Sequence, residues 1–141
     1  MKVLLDTNIV LDVLLQRQEW IDDAQAIWDA GESGQLTCHV TATALTDIFY
    51  VCRRSRGWED ARVATQACLD TMLVITVDRT LLTAAINRPE ADFEDAVVIA
   101  AAEAASVDAI ITRDAAGFKD SPIAVMSPAD LASRLQVTNG D

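Results

Sequence analysis

Cysteine and histidine are scarce in this chain. Its three cysteines, Cys38, Cys52 and Cys68, are odd in number and show no Cys-x-x-Cys spacing, so the sequence predicts neither a disulfide framework nor a thiolate zinc site. Its single histidine, His39, cannot build a histidine-rich metal site by itself. The fold therefore has to be held together by an apolar core.

Long apolar runs are also missing. Although 51% of the residues are apolar, no uninterrupted stretch approaches the roughly 18 residues that mark a membrane-spanning helix. Near the N-terminus, Asp6 and Asp12 interrupt the only apolar region that could serve as a signal peptide. We therefore expect a cytoplasmic protein with no membrane association.

Basic residues are half as numerous as acidic ones, 11 against 22, which gives a net charge of -11. Such a charge repels a polyanion, so binding of nucleic acid would need a local basic patch, a bound cation, or both. The densest basic cluster is Arg53, Arg54 and Arg56 at the end of a predicted helix. These arginines either complement the helix dipole or contact phosphate groups.

Short apolar strands alternate with amphipathic helices along the chain. The pattern predicts strands over residues 3–5, 36–40, 73–77, 109–111 and 123–126, with helices between them. This alternation is typical of a parallel sheet, because right-handed crossovers bring every strand's carboxyl end to one edge. We predict one α/β domain, residues 1–136, as a three-layer sandwich with about five central strands, followed by a frayed tail, residues 137–141.

Four carboxylates are predicted near that edge of the sheet. Asp6 and Asp114 follow strand ends, Asp95 lies in the first turn of a helix, and Asp47 lies one turn into another. If they share a cleft, a divalent cation has to offset their repulsion, and an all-oxygen site suits Mg²⁺ or Mn²⁺. Blander roles remain open, since Asp6 and Asp92 can cap helices and Asp47 can be solvated. Asp12, inside the first helix, is predicted to be solvated.

The motifs that carry these acids resemble the PIN domain, over nearly the whole chain. They are Asp6-Thr7-Asn8 after a buried strand, residues 47–54 on a helix, residues 92–96 opening a helix, and residues 111–114 with Phe118. The pattern is most similar to small bacterial PIN proteins grouped with VapC-type toxins.

The resemblance implies a metal-dependent endoribonuclease that needs Mg²⁺ or Mn²⁺. It assigns the catalytic, metal-binding acids to Asp6, Asp47, Asp95 and Asp114, with Asn8 and Thr112 as polar supports. Asp92, the predicted cap of the helix that carries Asp95, is a further supporting residue. It further implies a homodimer, an RNA substrate and a cognate antitoxin that inhibits the toxin. At position 47 the family usually has glutamate; because aspartate is one methylene shorter, Asp47 is expected to reach a metal through water.

Two other classes of function stay open at this point. A PIN module without catalytic activity would bind RNA or a protein partner and cleave nothing. A receiver-like or phosphatase-like domain would use Asp6 as a phosphoryl acceptor. The second class generally pairs the strand-end aspartate with another nearby acid and a later lysine, whereas this chain has Asn8 and, late in the sequence, only Lys119.

Overall fold

The computed structural model describes residues 1–89 and 91–139. Strands and helices alternate from the first residues onward. In chain order the elements are β1 (Lys2–Leu5), α1 (Thr7–Leu14), α2 (Ile21–Glu32), β2 (Thr37–Thr41), α3 (Ala42–Arg56), α4 (Trp58–Thr71), β3 (Leu73–Ile75), α5 (Arg79–Ile86), α6 (Phe93–Ala105), β4 (Ala109–Ile111), a 3-10 turn (Ala115–Phe118), β5 (Ala124–Met126) and α7 (Pro128–Asn139).

The five strands form one parallel sheet in the order β3-β2-β1-β4-β5. The predicted α/β fold with a parallel sheet of about five strands is therefore confirmed. The chain leaves β1 toward β2 on one side and later returns to place β4 on the other side. In open α/β sheets such a switch of direction opens a crevice at the carboxyl ends of the two central strands, where ligands bind.

The core lies on both faces of the sheet, because side chains alternate along each strand. Val3 and Leu5 of β1 are buried in an apolar cluster with side chains from α1 to α4 and α7. Leu4 points to the opposite face and is buried in a second cluster, with α5, α6 and Phe118 of the 3-10 turn. The molecule is thus a three-layer sandwich with both faces of β1 covered.

Two boundaries, the end of β3 and the end of the domain, differ from the prediction by more than one residue. β3 ends at Ile75, and the segment 76–78 is irregular until Asp78 caps α5. The last helix continues to Asn139, beyond the predicted domain end at residue 136, because no glycine or proline follows Pro128 before Gly140. The predicted frayed tail, residues 137–141, is thus helical through residue 139, and residues 140 and 141 lie outside the described residues.

In the described part of the chain, no helix combines the length and the hydropathy that crossing a bilayer requires.

Candidate active site

Asp6 lies directly after β1, at the point where the order of the strands in the sheet reverses. Pairing of Leu5 with Ile111 brings the ends of β1 and β4 side by side. Asp6 Oδ1 accepts a hydrogen bond from the Thr7 amide at 2.8 Å, which caps α1. Its Oδ2 accepts a second one from the hydroxyl of Thr112, also at 2.8 Å. Asp6 therefore both caps a helix and carries a carboxylate fixed at the crevice.

Thr112 connects the two central strands. Its side chain is buried, and its hydroxyl also accepts a hydrogen bond from the Asp114 amide at 3.0 Å. One continuous chain of hydrogen bonds therefore crosses the crevice, from the Asp114 amide through the Thr112 hydroxyl to the Asp6 carboxylate. Such a chain fixes the loop after β4 relative to the end of β1.

Asp95 and Asp114 point toward the same spot next to Gly117. A Cβ atom placed on Gly117 would lie 2.6 Å from Asp95 Oδ2 and 3.4 Å from Asp114 Oδ2. Both carboxylates therefore approach the backbone of the 3-10 turn, and a glycine is what leaves them room. The sequence analysis did not select Gly117, because its spacing from the acids gives no signal for this approach.

Helix α6 brings Asp95 into the crevice with the help of its cap. Asp92 Oδ1 accepts hydrogen bonds from the amides of Glu94 at 2.9 Å and Asp95 at 3.4 Å. Asp92 thus takes up amides that the first turn of a helix leaves unpaired. Glu94 and Asp95 are not needed for capping, so their carboxylates are available to the crevice.

The acidic side chains at the crevice share one electrostatic field. Partial burial raises the pKa of Asp95 to about 6, with further contributions from the charges of Asp6, Asp92, Asp114 and Glu94. The pKa of Glu94 is also raised, first by partial burial and then by the charges of Asp47, Asp6 and Asp92. Carboxylates that repel one another in this way favour binding either a proton or a cation.

Glu94 is a carboxylate at the crevice that the sequence analysis did not select. It lines, together with Asp47 and Thr7, a cleft of about 190 Å³ that also has apolar walls from Phe93 and Leu82. Asp47 is exposed on α3 and reaches this part of the crevice. A usable signal existed in the sequence, because three acids open α6 and capping employs only Asp92.

Oxygen atoms dominate the polar groups of the crevice, and they suit a hard cation such as Mg²⁺. Among residues 1–89 and 91–139, no three histidine, cysteine, aspartate or glutamate side chains are gathered closely enough to hold an ion. Mg²⁺ usually takes one or two carboxylates and keeps several waters, so a site built on Asp95 and Asp114 fits it. After burial, the charges of neighbouring acids also raise the pKa of Asp95, and a bound cation would offset this repulsion.

Asp12 contradicts the prediction that it is solvated, since its side chain is fully buried. Arg113 holds it with two hydrogen bonds, from Nε to Oδ2 at 3.0 Å and from Nη2 to Oδ1 at 3.2 Å. Arg17 adds a third contact at 3.3 Å. The Arg113 guanidinium also stacks on Trp20, 3.7 Å from the ring centroid. Because Arg113 lies between Thr112 and Asp114, this buried ion pair anchors the loop that carries them.

The remaining predicted residues have partners away from the acids, with one exception. The Asn8 side-chain oxygen accepts a hydrogen bond from Arg17 at 3.2 Å. The Arg53 guanidinium lies 5.0 Å from the ring centroid of Trp58, and Arg56 donates to the carbonyl of Leu15 at 3.1 Å. Arg54 is exposed and makes neither a hydrogen bond nor an ion pair within the described part of the chain.

The fold and the crevice define an α/β protein with an acidic, oxygen-rich site at the switch point of a parallel sheet. A family model for the PIN domain matches residues 2–116, and the chain belongs to the PIN domain family. The predicted family is therefore confirmed. The comparison with curated proteins gives no match.

Solved structures of toxin proteins have the same fold. VapBC2 from Rickettsia felis, bound to a promoter DNA fragment, aligns at 16% identity with a TM-score of 0.71, over 90% of this chain and 98% of the other. A toxin–antitoxin complex from Klebsiella pneumoniae aligns at 20% identity with a TM-score of 0.68, over 89% of this chain and 97% of the other. VapC20 from Mycobacterium tuberculosis, a sarcin-ricin loop cleaving toxin, aligns at 16% identity with a TM-score of 0.64, over 77% of this chain and 86% of the other. Identities this low establish the shared fold alone.

Proposed function

We propose that this protein is a metal-dependent endoribonuclease, the toxin of a toxin–antitoxin pair. The observation that carries the proposal is the meeting of Asp95 and Asp114 beside Gly117, next to the Asp6 carboxylate that Thr112 holds. Membership of the PIN family and the RNA-cleaving activity named for the VapC20 structure support the same conclusion.

Each acid has a distinct part in the proposed reaction. Asp95, Asp114 and Asp6 would hold Mg²⁺ or Mn²⁺, and the Thr112 hydroxyl would keep the Asp6 carboxylate oriented for this role. When bound, the metal supplies charge stabilisation at the phosphate and a water of lowered pKa. Glu94 lines the same cleft, where its carboxylate would accept the proton that the attacking water gives up.

Asp47 supports this chemistry from the far side of the cleft. It faces the same cavity as Glu94, and its charge raises the pKa of Glu94. We propose that Asp47 reaches the metal through water, as its short side chain requires, and that Asn8 acts through Arg17 and does not touch the ion.

The partners are proposed on the same basis. A cognate antitoxin is expected because structures with this fold include toxin–antitoxin complexes. A second copy of the chain is expected from the family resemblance alone. Purification with and without a co-expressed neighbouring gene product, followed by light scattering, tests both expectations. A protein that stays monomeric and gains no partner would contradict them.

The test of the function is cleavage of end-labelled RNA by purified protein. Wild type, Asp6→Asn and the control Asp70→Asn are compared with Mg²⁺, with Mn²⁺ and with EDTA. Asp70 lies near the end of α4, at the opposite edge of the sheet, and its side chain only accepts a hydrogen bond from Gln66. We expect metal-dependent cleavage by wild type and control, and none by Asp6→Asn.

Equal activity of wild type and Asp6→Asn would contradict the proposed site. Binding of RNA without cleavage at any metal concentration would instead support a non-catalytic PIN module. A stable aspartyl phosphate on Asp6 would support the receiver-like alternative.

A further inference from the structure

Two arginines from different elements line one open pocket away from the acids. Arg17 lies in the connection between α1 and α2, and Arg54 lies near the end of α3. They line a pocket of about 520 Å³ together with Ser55, Leu15 and Val51. This arrangement brings two positive charges to one concave surface of a protein whose net charge is -11.

Neither guanidinium has all its donors engaged within the described residues. Arg54 has no hydrogen bond and no ion pair there. Arg17 uses only Nη1, for its contacts with Asn8 and Asp12, although an arginine carries five N–H donors. Acids outnumber bases two to one, 22 to 11. Within residues 1–89 and 91–139, however, no carboxylate takes up Arg54 or the donors of Arg17 other than Nη1, so the pocket is open to an anion.

The charges around the pocket leave a positive surplus. Arg113 already matches the single charge of Asp12 with two hydrogen bonds, so the charge of Arg17 is additional. Arg56 lies beside the pocket and donates to the carbonyl of Leu15. Burial raises the pKa of the nearby Cys52 thiol, and the positive charges of Arg56 and Arg17 act against this rise.

Helix α1 connects this pocket to the acidic crevice. Asp6 caps the start of α1, and Leu15, at its end, lines the pocket. Eight helical residues span on the order of 12 Å at 1.5 Å each. The pocket and the crevice are thus close enough for one nucleic-acid strand to contact both.

We propose that the pocket between Arg17 and Arg54 binds a backbone phosphate of the RNA, away from the phosphate that is cleaved. The inference rests on the proposed ribonuclease function for the identity of the ligand. Guanidinium groups match a phosphate with paired hydrogen bonds, and Ser55 offers a hydroxyl on the same wall. The pocket gives this acidic chain a point of attraction for a polyanion.

The experiment measures binding of a fluorescein-labelled, mixed-sequence single-stranded RNA by anisotropy. EDTA is present so that metal-dependent cleavage does not occur, and salt is varied from about 50 to about 200 mM. The variants are Arg54→Gln and Arg17→Gln, with Arg54→Lys to restore the charge. The control is Arg62→Gln, because Arg62 is exposed on α4 and likewise lacks described partners.

We expect Arg54→Gln and Arg17→Gln each to bind about fivefold more weakly at low salt, the loss of one favourable exposed ion pair. The slope of log affinity against log salt should fall by about 0.7 for each lost phosphate contact. Arg54→Lys should recover most of the slope, and Arg62→Gln should match wild type. Single-stranded DNA of the same sequence should show the same loss, because the contact is to phosphate.

Equal losses in Arg54→Gln and Arg62→Gln, a loss confined to RNA, or no binding by wild type would overturn the inference. Thermal unfolding of each variant verifies that the fold is retained. The two proposals fail differently. Binding that depends on Arg54 without any metal-dependent cleavage keeps the pocket and refutes the nuclease, whereas cleavage by wild type with normal binding by Arg54→Gln keeps the nuclease and refutes the pocket.

Discussion

Replacing Gly117 with alanine should disable the acidic site while leaving the fold intact. The added Cβ would lie 2.6 Å from Asp95 Oδ2, where ordinary van der Waals contact begins at 3.4 Å. Gly117 does not occupy the left-handed region of backbone angles, so alanine adds no backbone strain. The close neighbours are the ends of two aspartate side chains, which can rotate away.

The required displacement sets the size of the effect. Asp95 Oδ2 has to move by about 0.8 Å to reach ordinary contact, whereas metal–ligand distances tolerate deviations of about 0.2 Å. A misplacement of about 1 Å costs on the order of 100-fold in rate. We therefore expect Gly117→Ala to lose about 100-fold in cleavage, and its free energy of unfolding to change by only about 0.5 kcal/mol.

The assay combines RNA cleavage with thermal unfolding in EDTA and in Mg²⁺. Wild type should gain stability from Mg²⁺, and Gly117→Ala should not. The control Gly31→Ala adds the same methyl group in α2, where the nearest atom is Cys38 Sγ at 3.0 Å; it should keep both activity and the response to Mg²⁺. Full activity of Gly117→Ala would refute the idea that Asp95 and Asp114 act together at this turn.

Three further predictions concern Asp95 and Asp12. The pKa of Asp95 is raised to about 6, so its protonated form stabilises the metal-free protein fully below pH about 4. This stability is lost as the pH rises through about 6. Urea unfolding in EDTA should show the decline. Asp95→Asn should reduce that decline to the part that Glu94 contributes, raise the melting temperature in EDTA at pH 7, and abolish the response to Mg²⁺. An unchanged pH profile would exclude Asp95 as a source of the decline. Asp12→Ala should lower the free energy of unfolding by about 3 kcal/mol, the low end for a broken buried ion pair, because Arg113 and Arg17 keep 24% and 30% of their side chains exposed. An unchanged urea midpoint would show that the pair contributes nothing.

The sequence sufficed for the sheet because its signals are local. Val3 to Leu5 form an apolar run without charge, and alternation with helices fixes parallel pairing. From parallel pairing alone, side chains that follow strand ends have to meet at one edge. The sequence therefore places Asp6 and Asp114 near each other. It does not show the hydrogen bonds that join them through Thr112, which is 106 residues from Asp6 and 2 residues from Asp114.

The errors arise where the deciding contact lies far along the chain. Asp12 looks solvated on its own helix, and its partner Arg113 is 101 residues away. No local pattern shows that Arg113 will form an ion pair with the buried Asp12. Gly117 is missed for a related reason, because close approach of Asp95 and Asp114 to a backbone depends on tertiary packing. Glu94 is different, since the surplus of acids over caps at the start of α6 was visible in the sequence.

Helix α1 lies between the acidic crevice at its start and the arginine-lined pocket at its end. On the two proposals, this arrangement lets an acidic protein bind a polyanion. At its start, carboxylates that repel one another are suited to a cation. At its end, Arg17 and Arg54 offer donors that no described carboxylate takes. On the two proposals, metal removal acts at the start and added salt acts at the end. The two treatments should therefore weaken different steps: salt weakens binding of RNA with or without metal, whereas EDTA stops cleavage even where RNA remains bound.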